Sequence, residues 1–342
     1  MMKNNTKKYK CAVVGLGHIG KRHVEEILQH PDLELIAYCD LKTLDECKQV
    51  SLDGIDFYHS YQKMLEENKE IDVLSVCVPN FLHAEVSISA LNAGAHVICE
   101  KPMALHKEDC EKMIHASVQN QKDIFVVMQN RFSPTSVWLK KIVDSGVLGK
   151  IYKIQCNCFW NRDQRYYTPS SWHGSLEKDG GPLYTQFSHF LDIIYWLWGD
   201  FKDPKPVFYN HNHKHNTEFE DSGEILFSLG EQTSAHLSYS TSVFESNLES
   251  SLSIIAEKGT IKVAGQYMNE VVYCNIDKYQ MEQLPPTLPP NDYGGYKGSA
   301  RNHKMIFDNV VDRLSKGSEI ATNLMDGMKV VEIIERIYHY RK

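Results

Sequence analysis

The chain has 342 residues, 37 Lys plus Arg against 44 Asp plus Glu, and a formal net charge of −7. That length exceeds what one hydrophobic core usually serves, so two domains are expected, with residues 1–128 and 129–342 as their limits. The negative balance argues against nucleic acid as a partner, and no apolar run approaches the ~20 residues that span a bilayer, so no membrane partner is expected either.

The opening Met1–Lys8 is charged but lacks the apolar core and small-residue cleavage site of a secretory signal, which predicts a cytoplasmic protein. The nine cysteines are odd in number, several fall in predicted strands (Cys11, Cys39, Cys77), and none forms the paired C-x-x-C sets of a zinc site. They read as reduced core thiols.

The first predicted strand, Lys10–Val14, runs directly into Gly15-Leu16-Gly17-His18-Ile19-Gly20 and then into the helical Lys21–Leu28. This is G-x-G-x-x-G between strand and helix: Gly15 for the tight turn, Gly17 for close approach of a pyrophosphate, Gly20 for packing of helix on strand. A phosphate is expected at the helix N-terminus, beside His18 and Ile19. The second strand, Leu33–Cys39, ends in Asp40, whose carboxylate suits the adenosine ribose hydroxyls and favours NAD over NADP.

Strand Ile71–Val78 ends in Pro79-Asn80-Phe81-Leu82-His83, with the helix Phe81–Asn92 following; the apolar run His96-Val97-Ile98 ends in Cys99-Glu100-Lys101-Pro102. Alternation of strand and helix to about Gln129 predicts a parallel, doubly wound sheet. Both loops then lie at its carboxyl edge, where such sheets bind ligands. This groups Pro79, Asn80, His83, Glu100 and Lys101 with the cofactor and sets an amine beside the nicotinamide. A simpler reading makes Lys101-Pro102 a strand terminator, since proline lacks a donor and biases its predecessor toward extended backbone.

Beyond Phe125–Met128 the pattern changes to a helix at Thr135–Asp144, then strands around Ile151–Trp160, Ser222–Ser228, Thr233–Ser242 and Leu248–Glu257. Strands without intervening helices predict an antiparallel sheet. Between them one helix is expected over Leu183–Trp198, ended by Gly199, with Thr185, His189, Asp192 and Trp196 on one face. Asp192 one turn after His189 is placed to orient the imidazole, leaving its other nitrogen to take a proton. Mutually satisfied packing is the bland alternative for that pair.

His211, His213 and His215 alternate, but Lys214 and the absence of a companion ligand favour a solvated edge, so no metal is expected. Cys156 and Cys158 read as strand residues facing one side. The proline-rich Leu284–Pro290 is an extended connector toward Tyr293, and a helix is expected over Ser299–Lys316.

The glycine loop, Glu100-Lys101-Pro102, Gly180-Gly181 and the His189/Asp192 helix resemble the Gfo/Idh/MocA family of oxidoreductases. The resemblance runs from about Tyr9 to the end. It implies an N-terminal NAD-binding Rossmann domain and a C-terminal α+β domain with a large, mainly antiparallel open sheet that mediates a homodimer or homotetramer. Lys101 and His189 inherit the catalytic positions, with Asp192 and Thr185 in support; the substrate is a sugar or polyol bound between the domains.

Further motifs are similar to the family's nucleotide-sugar branch, the 3-dehydrogenases of UDP-N-acetylglucosaminuronate that serve bacterial surface polysaccharides: Gln129-Asn130-Arg131-Phe132, Tyr166-Tyr167, Trp172-His173-Gly174, Thr185–His189 and the Tyr293–His303 segment. The resemblance assigns substrate binding to Asn130, Arg131, Tyr166, Tyr167, Trp172, His173, Gln186, Tyr296, Arg301 and His303. Arginines suit phosphate oxygens and aromatics a flat uracil. Two residues depart: Thr185 stands where the family often has Asp or Asn, and His173 where the branch often has Arg. The alternatives are a dehydrogenase of a free sugar or inositol, and a non-catalytic NAD- or sugar-binding regulator.

Overall fold

The structure, a computed structural model, describes residues 8–48, 51–168 and 170–341. The expectation about a secretory signal falls on the opening residues 1–7, outside the described residues.

The chain forms two compact units, Met1–Val127 with His303–Met328, and Met128–Asn302 with Lys329–Lys342. The second half is therefore not one continuous domain: helix His303–Lys316 returns to the first unit. Its apolar face, Ile306, Phe307, Val310 and Val311, is buried. Its polar groups also find partners there, Arg313 Nε donating to Asp123 Oδ2 at 2.9 Å and Asp308 Oδ1 lying 3.3 Å from His30 Nε2. The helix begins at His303 rather than Ser299, because Ser299 lies in the short strand Lys297–Ala300, paired with Pro290–Asp292.

The first unit carries six strands: β1 (Tyr9–Val14), β2 (Leu33–Cys39), β3 (Asp56–Tyr58), β4 (Val73–Val76), β5 (His96–Cys99) and β6 (Ile124–Val126). All pair in parallel, in the order β3-β2-β1-β4-β5-β6. Order reverses between β1 and β4, and the loops after these strands open the crevice where dinucleotides bind. Every residue of β4 is buried, as expected for a strand covered on both faces. The fold is the Rossmann arrangement anticipated from the alternating pattern.

In the second unit seven strands, β7 (Ile151–Phe159), β8 (Phe201–Tyr209), β9 (Ser222–Leu229), β10 (Thr233–Ser240), β11 (Glu249–Ala256), β12 (Gly259–Ala264) and β13 (Glu270–Ile276), form one sheet in the order β13-β12-β11-β7-β10-β9-β8. Pairing is antiparallel except between β7 and β10. β8, β12 and β13 were not expected; β8 holds Pro204 and Pro206, which a strand tolerates at the sheet edge it occupies. Ile154, Cys156, Cys158, Leu252 and Ile254 face the core, while Tyr152, Leu226, Ile255 and Tyr273 are exposed on strands of the same sheet.

Helix Ser188–Trp198 covers the buried face. Trp160 meets Phe187 and Phe190 edge-on at 5.5 and 5.7 Å, and Tyr239 lies 5.5 Å from Phe187. The single helix expected over Leu183–Trp198 is in fact two, Pro182–Thr185 and Ser188–Trp198. The break has a packing cause: Phe187 is buried in that aromatic cluster, and the Gln186 amide donates to Tyr166 Oη at 3.0 Å. Thr185 thus closes a separate turn, and the shared helical face extends only over His189, Asp192 and Trp196.

Candidate active site

The glycine loop is built by exclusion of side chains. A Cβ on Gly20 would stand 1.7 Å from the Gly15 carbonyl oxygen, so helix and loop approach as closely as they do only with glycine there. Gly15, at φ +93°, lies against the Cys77 carbonyl with no room for a side chain. Gly17 differs, since a Cβ there meets nothing within 4 Å. Helix His18–Gln29 starts behind it with no side chain capping its first turn. An uncapped helix N-terminus beside an open glycine fits a pyrophosphate, so the residues present suit NAD.

Asp40 terminates β2 and orients this loop. Its Oδ2 accepts the Leu16 N–H at 2.7 Å and its Oδ1 the Lys42 N–H at 2.9 Å. The side chain is half-buried, and spare lone pairs remain for ribose hydroxyls.

Pro79, Asn80 and His83 follow β4, and Glu100 and Lys101 follow β5. His83 is buried: Nδ1 is 2.6 Å from the Pro102 carbonyl oxygen and Nε2 is 2.9 Å from that of Val78. It ties the two loops together; burial draws its pKa down and the two carbonyls oppose that. Glu100 is likewise interior, beside His23 and His303, while Lys101 is half-buried.

In the second unit His189 and Asp192 are buried on helix Ser188–Trp198. Asp192 is gripped by Arg131, with Nε donating to Oδ2 at 2.9 Å and Nη2 to Oδ1 at 2.5 Å. The Arg131 guanidinium also lies over the Trp196 ring, 5.5 Å from its centroid. Arg131, read from sequence as a phosphate ligand, is buried in an internal ion pair, because its helical turn Gln129–Phe132 packs against the His189 helix. Asn130 is also interior, its Oδ1 accepting from Ser299 at 2.6 Å. Thr185 donates to Asp179, a residue the sequence reading passed over.

Tyr166, Tyr167, Trp172, His173 and Tyr296 form an aromatic group. Tyr166 and Tyr167 sit buried on the short helix Gln164–Tyr167. His173 stacks on Tyr166 with centroids 4.1 Å apart and Trp172 lies 4.0 Å from His173; Tyr296 meets Tyr166 edge-on at 5.1 Å. Enclosed among these rings is Arg162, another residue not singled out: its guanidinium lies 4.9 Å from Trp160, 5.4 Å from Tyr166 and 4.8 Å from Tyr296. Only its position just after a buried strand hinted at this. A pocket of about 330 Å³ opens beside it, lined by Asn161, Asn247, Gln266, Tyr296 and Lys297 among others.

Three further placements differ from expectation. Arg301 is exposed and precedes the helix instead of lying in its first turn. His303 belongs to the first unit, beside Glu100, and not with the aromatic group. His213 is buried rather than on a solvated edge: Nδ1 lies 3.1 Å from Asp221 Oδ2 and Nε2 2.5 Å from the Arg162 carbonyl.

The nucleotide-binding crevice and the lysine at its edge define an NAD-dependent oxidoreductase. Residues 9–128 match the oxidoreductase family with an NAD-binding Rossmann fold, and residues 137–262 match the GFO/IDH/MocA C-terminal domain. The chain belongs to the Gfo/Idh/MocA family, an NAD-dependent family of sugar and polyol dehydrogenases, and its cofactor is NAD.

The WlbA dehydrogenase from Bordetella pertussis, solved in complex with NADH and UDP-GlcNAcA, is similar at 30% identity and a TM-score of 0.84, covering 97% of this chain and 96% of that one. WlbA from Chromobacterium violaceum, in complex with the same two molecules, reaches 28% identity and a TM-score of 0.84 over 98% and 94%. Inositol 2-dehydrogenase of Salmonella typhimurium is 28% identical over 205 residues, 58% of this chain and 57% of that enzyme. Among the described residues no helix is long and apolar enough to cross a membrane.

Proposed function

We propose that the protein oxidises a secondary hydroxyl of a nucleotide-linked sugar, at C3 of a UDP-linked N-acetylamino-sugar uronate, in surface polysaccharide biosynthesis. The observation that carries this reading is the likeness to WlbA along nearly the whole chain. The aromatic group around Tyr166 and Arg162 supports it, because flat rings and a buried guanidinium suit a base and its phosphates.

His189 takes the hydroxyl proton. Lys101 hydrogen-bonds the same oxygen and stabilises the negative charge that develops on it, sharing in the proton transfer. NAD, when bound, supplies the hydride acceptor that lets the alcohol become a ketone. Gly15, Gly17, His18, Ile19, Gly20 and Asp40 hold the dinucleotide, and Pro79, Asn80, Glu100 and Lys101 shape its nicotinamide end. Tyr166, Tyr167, Trp172, His173, Gln186, Tyr296 and Arg301 engage the remainder of the sugar nucleotide; Asp192, held by Arg131, supports His189.

A free polyol is the second reading, favoured by the match to inositol 2-dehydrogenase. The protein works in the cytoplasm as a homodimer or homotetramer, the exposed Tyr152, Leu226, Ile255 and Tyr273 of the open sheet supplying the apolar face for self-association.

The test is NADH formation with NAD and UDP-N-acetylglucosaminuronate, UDP-N-acetylglucosamine, glucose or myo-inositol, repeated for Lys101→Ala and His189→Ala. Turnover confined to the uronate and lost in both variants supports the reading. Turnover confined to myo-inositol replaces it with the second one.

A further inference from the structure

Glu100 sits directly before Lys101, and its carboxylate is enclosed in the first unit. Oε1 lies 3.1 Å from Nε2 of His23 and 3.4 Å from Nε2 of His303, while Oε2 accepts the backbone N–H of Lys101 at 3.2 Å. Both imidazoles are wholly buried. His23 comes from helix His18–Gln29, immediately behind the glycine loop; His303 is the residue at which the chain re-enters this unit. Phe307 closes the cluster, its ring edge-on to His23 at 5.2 Å.

We propose that His23 and His303 are positioning residues: they clamp Glu100 so that it fixes the backbone at Lys101, and through Lys101 they govern the rate of the reaction. The inference rests on the reading of Lys101 as a catalytic residue.

A carboxylate in a protein core is expensive unless several donors hold it. Here burial pushes the Glu100 carboxyl upward, but its interactions with His23 and His303 outweigh burial and hold it well below the usual carboxylate range. Oε1 is hydrogen-bonded to His23, with His303 Nε2 3.4 Å from the same oxygen, and Oε2 serves the Lys101 amide, so the side chain cannot swing without releasing one of them. The three side chains also bring ligand-type atoms within 4.8 Å of one another, the arrangement of a metal site. The 3.1 Å separation and the commitment of Oε2 to a backbone amide are those of a hydrogen-bonded clamp instead.

The experiment uses the full chain, with His23→Asn, His303→Ala, His303→Gln, Glu100→Gln and Lys101→Ala compared by steady-state kinetics on the sugar that is turned over. NADH affinity and thermal unfolding are followed in parallel. Loss of the clamp in His23→Asn and His303→Ala is expected to lower kcat about 10- to 100-fold while sugar KM and NADH affinity stay within about twofold, because a small misplacement of a reacting group carries that penalty. His303→Gln, which keeps an N–H donor, is expected to recover part of the loss and is read instead of Glu100→Gln should that variant fail to fold.

Folded variants with lowered Tm but unchanged kcat overturn the proposal. If Lys101→Ala retains turnover, the catalytic reading of Lys101 falls and the clamp with it; if Lys101→Ala is inactive while clamp variants keep full kcat, only the clamp falls. A readout independent of substrate is acetylation of Lys101 relative to exposed Lys112 by peptide mass spectrometry: altered relative reactivity in His303→Ala is expected, and an unchanged ratio counts against the proposal. Stoichiometric metal in the purified chain likewise overturns it.

Discussion

Arg131 closes a two-pronged grip on Asp192, with Nε–Oδ2 at 2.9 Å and Nη2–Oδ1 at 2.5 Å, both side chains being almost wholly buried. The pair joins the helical turn Gln129–Phe132 to the helix that carries His189. It therefore acts on the height and rotation of that helix, in addition to the orientation of the His189 imidazole that sequence spacing predicts for Asp192.

Breaking this pair from one side leaves an uncompensated buried charge. Asp192→Asn or Arg131→Met is expected to destabilise the fold by about 3–5 kcal/mol, and the double variant Arg131→Met/Asp192→Leu to recover much of that loss. Denaturant unfolding measures both effects. Single variants as stable as the parent would show that the fork is not made in solution.

Gly17 and Gly20 are expected to differ in what alanine does to stability. The Gly17 Cβ meets open space at φ −65°, so Gly17→Ala should unfold at the parental temperature yet bind NADH at least about tenfold more weakly, because the added methyl stands where the pyrophosphate approaches. Gly20→Ala puts its methyl into the Gly15 carbonyl and should lower Tm as well as affinity. Calorimetry with and without NADH separates the two, and equal stability losses would contradict this account.

Asp221 predicts an acid limb of stability in the second unit. Its carboxylate accepts from the backbone N–H groups of His211 and Asn212 at 2.9 and 2.8 Å, faces His213 Nδ1 at 3.1 Å, and takes the Ser222 hydroxyl at 2.8 Å. Burial alone would raise its pKa, but these donors outweigh it and hold the group well below the ordinary carboxylate value. A folded pKa below the unfolded ~3.9 contributes stability that is present above that value and lost as pH falls toward the folded one. Urea unfolding should show Asp221→Asn much less stable than the parent near about pH 6, with the gap narrowing below about pH 4. A gap independent of pH would assign the loss to packing.

Local patterns carried far into this structure. The apolar runs that became β1, β2, β4 and β5, the glycine spacing at 15, 17 and 20, and the polar residues at the strand ends needed only short-range information, because strand, tight turn and helix start are each set by a few neighbouring residues. The aromatic residues at 166, 167, 172, 173 and 296 were visible as types, but their arrangement around Arg162 was not.

By itself the amino-acid sequence determined the parallel Rossmann sheet, its glycine loop and NAD as the cofactor. Tertiary structure alone decided that β8 tolerates two prolines at a sheet edge, that the 183–198 segment breaks at Phe187, that Asp192 belongs to Arg131 sixty-one residues away, and that His303 returns to Glu100. The division has one physical cause. Backbone conformation answers to nearest neighbours, whereas the partner of a buried charge is set by which distant polar groups are enclosed in the same core, where leaving any of them unpaired is costly.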